Sequence, residues 1–210
     1  MSADWATISS LATAGGTLVL AVATFASVRS GSRSARVAER SLLAGLRPVL
    51  MPSQQQDPEQ KILFVDSHWV KVPGGAATAE ANDGAVYMTM SLRNAGSGMA
   101  VLHGWVFHPE RVLDNTHPAP GDFHRLTRDI YIPPNGLGFW QGVFREPEVE
   151  EFTVAATAIA ARNVLGIDLL YGDHEGGQRT ITRFALIPRT DGGWLCTVGR
   201  HWNLDRRDPR

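Results

Sequence analysis

Cysteine is nearly missing from this chain. Cys196 is the only one in 210 residues, which excludes an internal disulfide, a Cys-x-x-Cys redox pair and a multi-cysteine zinc site, and fits a reducing compartment. Excess charge is missing too: the formal net charge of -1 exerts no global pull toward nucleic acid or acidic substrates. There is no Gly-x-Ser-x-Gly elbow, no His-Glu-x-x-His helix and no phosphate-binding Gly-x-x-x-x-Gly-Lys loop, and Gly96-x-Gly98 lacks the third glycine and following helix of a dinucleotide fingerprint. These absences leave no motif-borne enzyme class, and no cofactor is expected. A hydrophobic fraction of 43% with 20% charged residues does predict a folded chain.

What is present begins at the N-terminus. "ATISSLATAGGTLVLAVATFASV", Ala6 to Val28, runs 23 residues without a charge, and a helix of that length reaches about 34 Å, enough to cross the hydrocarbon core. Its hydroxyl and small residues are tolerated in a span where they bond back to the helix or face another helix. A cleaved signal would need a basic start and a shorter apolar stretch, whereas Met1 to Trp5 carries only Asp4. Residues 1–28 are therefore expected to form an N-terminal segment and transmembrane helix. Asp4 precedes it, while Arg29, Arg33, Arg36, Arg40 and Arg47 follow, opposed only by Glu39. The positive-inside rule then predicts a single-pass protein of the inner (plasma) membrane, N-terminus outside and C-terminal domain cytoplasmic.

The five arginines, spaced by four, three, four and seven, fall within about 40° of one line on a helix, so residues 29–50 are expected to continue the span until Pro48 stops it. The stripe serves as a topology signal, and also suits anionic lipid headgroups and an acidic partner farther out. Membrane lipids and a protein partner are thus the expected contacts, with homo-oligomerisation through the span, at Ala12, Gly16 and Ala23 or on the Leu42 face, as a further option.

From residue 51 to 210 the texture is that of a β-domain. "MPSQQQDPEQ" is a polar connector, and "AVYMTMSLRN" alternates so that Val86, Met88, Met90 and Leu92 share one face, the pattern of a half-buried strand. Further strands are expected at Ile62–Val72, Met99–Phe107, Asp129–Ile132, Leu137–Val143, Leu165–Tyr171, Thr180–Ile187 and Trp194–Trp202. "EPEVEEFTVAATAIAARN" instead reads as a helix, with an acidic start and Arg162 near its end. The fold class is mainly β, a sandwich with one inserted helix behind an N-terminal anchor. Trp69, Trp105, Trp140, Trp194 and Trp202 are assigned to its core and rim.

The pattern Leu92-Arg93-Asn94-x-Gly96-x-Gly98-x-Ala100, with "GLRPVL" before the first strand and the Tyr171-x-Asp173-x-x-Gly176 hairpin, resembles uncharacterised bacterial membrane-anchored proteins carrying one span and a cytoplasmic immunoglobulin-like sandwich. The resemblance covers the layout of nearly the whole chain and brings no catalytic residues. Physically, Asn94 to Gly98 reads as a strand end followed by residues that tolerate positive φ.

Two polar stretches invite a chemical reading. In "LLYGDHEGGQRTITRF" the alternating runs on either side make Asp173 to Gly177 a hairpin connection, with Asp173 closing the turn and Gly176 and Gly177 adopting left-handed conformations. In "THPAPGDFHRLTRD", His117, Asp122, His124 and Asp129 combine imidazoles and carboxylates that suit a divalent metal if they converge, although a proline-rich loop with surface polars accounts for them as well. The function expected is a membrane-anchored, non-enzymatic interaction module, with a tethered metal-dependent hydrolase at His117–Asp129 as the alternative.

Overall fold

The computed structural model describes residues 4–82 and 84–205, with the side chains of residues 5–8, 11, 12, 40 and 44 outside that description. The chain divides into a helical unit ending at Ala44 and a second compact unit, Gly45–Arg210.

The first unit is one helix, α1 (Asp4–Gly45). Its threonine hydroxyls bond back along the helix, Thr13 to the Ser9 carbonyl, Thr17 to Thr13 and Thr24 to Leu20, each at 2.8–2.9 Å. Leu18, Val19, Leu20, Val22, Phe25 and Val28, which point in all directions around the axis, are each more than 60% exposed. Among the described residues no helix is long and apolar enough to cross a membrane, so the expected span over Ala6–Val28 is not shown. The helix also stops at Gly45, short of Pro48. Gly45 is its last residue, and Arg47 therefore lies beyond the arginine stripe.

The second unit is mainly β. Its strands are β1 (Leu50–Pro52), β2 (Gln60–Leu63), β3 (Trp69–Val72), β4 (Ala76–Asn82), β5 (Ala85–Asn94), β6 (Ala100–His108), β7 (His124–Ile132), β8 (Leu137–Phe144), β9 (Leu165–Gly172), β10 (Thr180–Pro188) and β11 (Trp194–Asn203), with helix α2 (Glu150–Ala160) between β8 and β9. Nine strands form one antiparallel sheet in the order β1-β5-β4-β11-β10-β9-β6-β7, with β8 added to the other side of β5. The sheet curls, because β7 and β8 at its two ends are neighbours in sequence, joined by the turn Pro133–Gly136. Its concave face packs Met88, Met90, Trp105, Trp140, Ile167 and Phe184 into one core. Ala155, Ala158 and Ile159 of α2 close that core.

The convex face is covered twice. Over β5 and β8 lies the separate β2–β3 ribbon, whose Ile62, Phe64, Val70 and Val72 pack on Ala85 and Tyr87. The strand expected as one piece over Ile62–Val72 is a hairpin, since Asp66 and Ser67 (φ 64°) reverse the chain. This cover also corrects the half-buried reading of β5: Tyr87, Thr89 and Ser91 are buried on the face expected to meet water. Over β9, β10 and β11 lies the loop from Pro109 to Phe123, sealing Leu170, Ile181 and Trp202.

The Asn94–Gly98 bend holds the entry of the chain. The Asn94 amide donates to the Gly98 and Ile132 carbonyls at 2.7 and 3.0 Å, while its oxygen accepts from Val49 and Gly96 at 3.1 and 2.9 Å. Every hydrogen-bonding position of this buried side chain is used. Gly96 and Gly98 are required here by crowding and not by the positive φ expected of them: a Cβ on Gly98 would lie 1.7 Å from the Leu46 carbonyl oxygen, and one on Gly96 2.3 Å from that of Arg47.

Candidate functional site

The two ends of the curled sheet leave a seam. No backbone ladder joins β7 to β8. Near the connecting turn they lie close, and farther along they separate, bridged by Arg128 Nη2 donating to Gln141 Oε1 at 2.9 Å. Where they part, the first turn of α2 enters and leaves a cleft of about 240 Å³ lined by Trp105, His124, Arg125, Gln141, Arg145 and Glu151. His124 Nε2 stands 3.3 Å from Glu151 Oε1, and its ring rests 5.0 Å from that of Trp105. On the other side of this pair is a second hollow of about 300 Å³, bounded by Phe107, Asp122, Phe144 and Val154. The seam thus offers one imidazole, guanidinium cations, carboxylate anions and aromatic walls. That combination suits reversible recognition of a polar segment with apolar side chains.

Of His117, Asp122, His124 and Asp129, the structure brings Asp122 and His124 to one hollow, beside Glu150 and Glu151, and places His117 and Asp129 outside its lining. His117 turns its Nδ1 toward the Pro118 carbonyl at 2.8 Å and packs on Trp202. Asp122 accepts from the Ala119 N–H at 3.0 Å, closing a 3-10 turn at Pro120–Asp122. His124 belongs to the seam, and Asp129 sits on β7, its charge felt by His103. Among the described residues no group of three or more His, Cys, Asp or Glu is arranged to hold a metal ion.

The Asp173–Gly177 stretch connects β9 to β10, which pair antiparallel from Tyr171↔Thr180. Asp173 is buried; its carboxylate accepts from the Gly177 N–H at 2.8 Å and from the Gln178 amide at 3.1 Å. His174 and Glu175 lie exposed at the tip and contact each other at 3.2 Å. Only Gly176 of the two glycines has a positive φ, 75°. Of the arginine set, Arg29, Arg33 and Arg36 are exposed on α1 and the Arg40 side chain lies outside the described residues. Arg47 donates to Asn203 Oδ1 within the β-domain. Ala12, of the small-residue face, also has its side chain outside the description.

A charged network that no sequence motif announces lies beneath the Pro109–Phe123 loop. Arg183 donates through Nε and Nη2 to both oxygens of Asp168 at 2.8 and 2.7 Å. It also reaches Asp114 Oδ1 at 3.1 Å and the Thr116 carbonyl at 3.1 Å, while the Trp202 indole donates to the Asn115 carbonyl at 3.2 Å. His108 Nε2 lies 3.0 Å from Asp168. Burial pushes the Asp168 carboxyl up, yet its bonds to Arg183 and His108 outweigh that and hold it below the usual carboxylate range. The network straps the loop to the sheet. Its signal in the sequence was a lone charge inside each of two apolar strands, at equal distances from the turn.

In comparisons with known proteins, no family model, no curated protein and no solved structure matches the chain.

Proposed function

We propose that the chain is a membrane-anchored, non-enzymatic interaction module: α1 tethers it, and the β-domain presents the β7–β8 seam to a protein partner. The observation that carries this reading is the exposure of large apolar side chains on every side of α1. A helix apolar all round is stable only where something other than water surrounds it. The described part alone falls short of a span, so the reading rests on the full uncharged stretch Ala6–Val28. The threonine hydroxyls, satisfied by the helix's own carbonyls, remove one cost of placing it in lipid. Arg29, Arg33, Arg36 and Arg40 set the β-domain on the cytoplasmic side of a plasma membrane. The likeness to single-span proteins with an immunoglobulin-like domain belongs to the same proposal. It is supported by a β-rich domain with a core on the concave face and covers on the convex one.

The experiment is a pair of reporter fusions after Arg210. A cytoplasmic reporter is expected to be active and a periplasmic one silent; activity of the periplasmic reporter overturns the orientation. Among the described residues no group of three or more His, Cys, Asp or Glu is arranged to hold the metal that the hydrolase alternative requires.

A further inference from the structure

The chain contains only two lysines against eighteen arginines, and they are Lys61 and Lys71. The register of the β2–β3 ribbon places them directly opposite each other, with Leu63 directly opposite Trp69. Like charges facing across a strand pair weaken it, and among the described residues the acidic contact is Glu59 at 3.8 Å from Lys71, with both side chains largely exposed. On the same outward face, Leu63 is 38%, Trp69 62% and Val65 77% exposed. A domain that could have put polar residues there carries a tryptophan, a leucine, a valine and its only two lysines.

These side chains are held rigidly. The inner face of the ribbon is fully packed, and the tip is closed by Phe64 N–H donating to the His68 carbonyl at 2.9 Å. Asp66 accepts from the Tyr87 hydroxyl at 2.6 Å and from Arg145 Nε at 3.3 Å, so its charge is already compensated. What faces outward is therefore apolar and cationic.

We infer that this ribbon is a second membrane contact: Leu63, Val65 and Trp69 enter the interfacial zone of an anionic bilayer while Lys61 and Lys71 meet its lipid phosphates. Tryptophan is enriched at that depth. Lysine carries its ammonium on a flexible stem that reaches headgroups from a partly embedded strand, and its attraction there depends on anionic lipid. The inference rests on the anchored reading, since a tether keeps the ribbon at high effective concentration near the surface.

The test uses the full chain carrying Val65→Cys labelled with an environment-sensitive nitrobenzoxadiazole dye; Cys196, being buried, is not a competing thiol. The protein is mixed with phosphatidylcholine vesicles with and without phosphatidylglycerol, and emission and flotation are read separately. The expected result is a blue shift and a gain in emission on phosphatidylglycerol vesicles. Both are lost in Lys61→Gln/Lys71→Gln, while flotation is unchanged. Flotation without any emission change overturns the ribbon contact alone. An emission change without flotation overturns the tether alone, and neither signal overturns both. A gain seen with native membrane vesicles but not with lipid alone assigns the surface to a protein and contradicts the inference.

Discussion

Arg183 and Asp168 face each other across β10 and β9 and bind through two parallel hydrogen bonds of 2.8 and 2.7 Å, with Asp168 wholly buried. A buried pair of this kind is weak evidence of net stabilisation, but breaking it leaves one charge without compensation. Asp168→Ala is expected to cost about 3–5 kcal/mol, read as a shift in denaturation midpoint at constant slope. A loss under about 1 kcal/mol would mean that the Pro109–Phe123 loop is not held as described.

The same pair gives a pH dependence. The folded value of Asp168 is depressed, so its contribution is present above the unfolded carboxylate value of about 3.9 and is lost as pH falls through the folded value. Melting temperature should decline below about pH 4 in the parent. It should decline less steeply in Asp168→Asn, whose melting temperature is already low at neutral pH. Parallel profiles for the two proteins would contradict the assignment.

At the β9–β10 turn, His174→Ala and Glu175→Ala should each change stability by less than about 0.5 kcal/mol, as exposed substitutions do. Gly176→Val forces a β-branched residue to positive φ and should cost about 1–3 kcal/mol. Gly177→Ala meets nothing closer than 3.8 Å and should be close to neutral. Thermal melts of the four variants check the order; Gly177→Ala proving the costlier glycine change would contradict it.

Legibility followed the range of the interactions. The concave face of β5 could be read from its alternation, because its four apolar residues meet whatever core exists. Its convex face could not, since the cover comes from residues 60–72 folding back as a ribbon. Strand β4 leaves no mark in the sequence because its buried positions, Ala77 and Ala79, are too small to show a period. Arg162 suits a helix dipole by its position in the sequence, but it sits past the end of α2 at φ 54°. There it donates to the carbonyls of Arg189, Gly192 and Gly193 and stacks on Trp194. The crowding that demands Gly98 depends on residue 46, fifty-two positions earlier, and no local rule announces it.

The start of the domain follows from that crowding. Leu50 is wholly buried and its N–H donates to the Tyr171 hydroxyl at 3.1 Å; Ala95 N–H donates to the Val49 carbonyl at 2.7 Å and Ser97 N–H to that of Arg47 at 3.2 Å. A chain beginning at Met51 loses all of these, and should melt about 5 °C or more below one beginning at Gly45. Equal melting temperatures would show that residues 45–50 belong to the stalk.

Burial pushes the Cys196 thiol far up from its ordinary value, and the thiolate is the reactive form. Ellman's reagent should label the native protein only at the rate at which the core opens, and at once in denaturant. Rapid labelling of the native chain would place Cys196 outside the core.

The tether itself is tested most directly by washing membranes from cells expressing the full chain with alkaline carbonate, which releases proteins held by surface contacts and leaves inserted ones behind. An apolar helix inserted through Ala6–Val28 predicts that the chain stays in the membrane pellet, whereas a chain beginning at Gly45 is released. Recovery of the full chain in the wash would contradict the anchor and, with it, the reading of the β-domain as a membrane-tethered module.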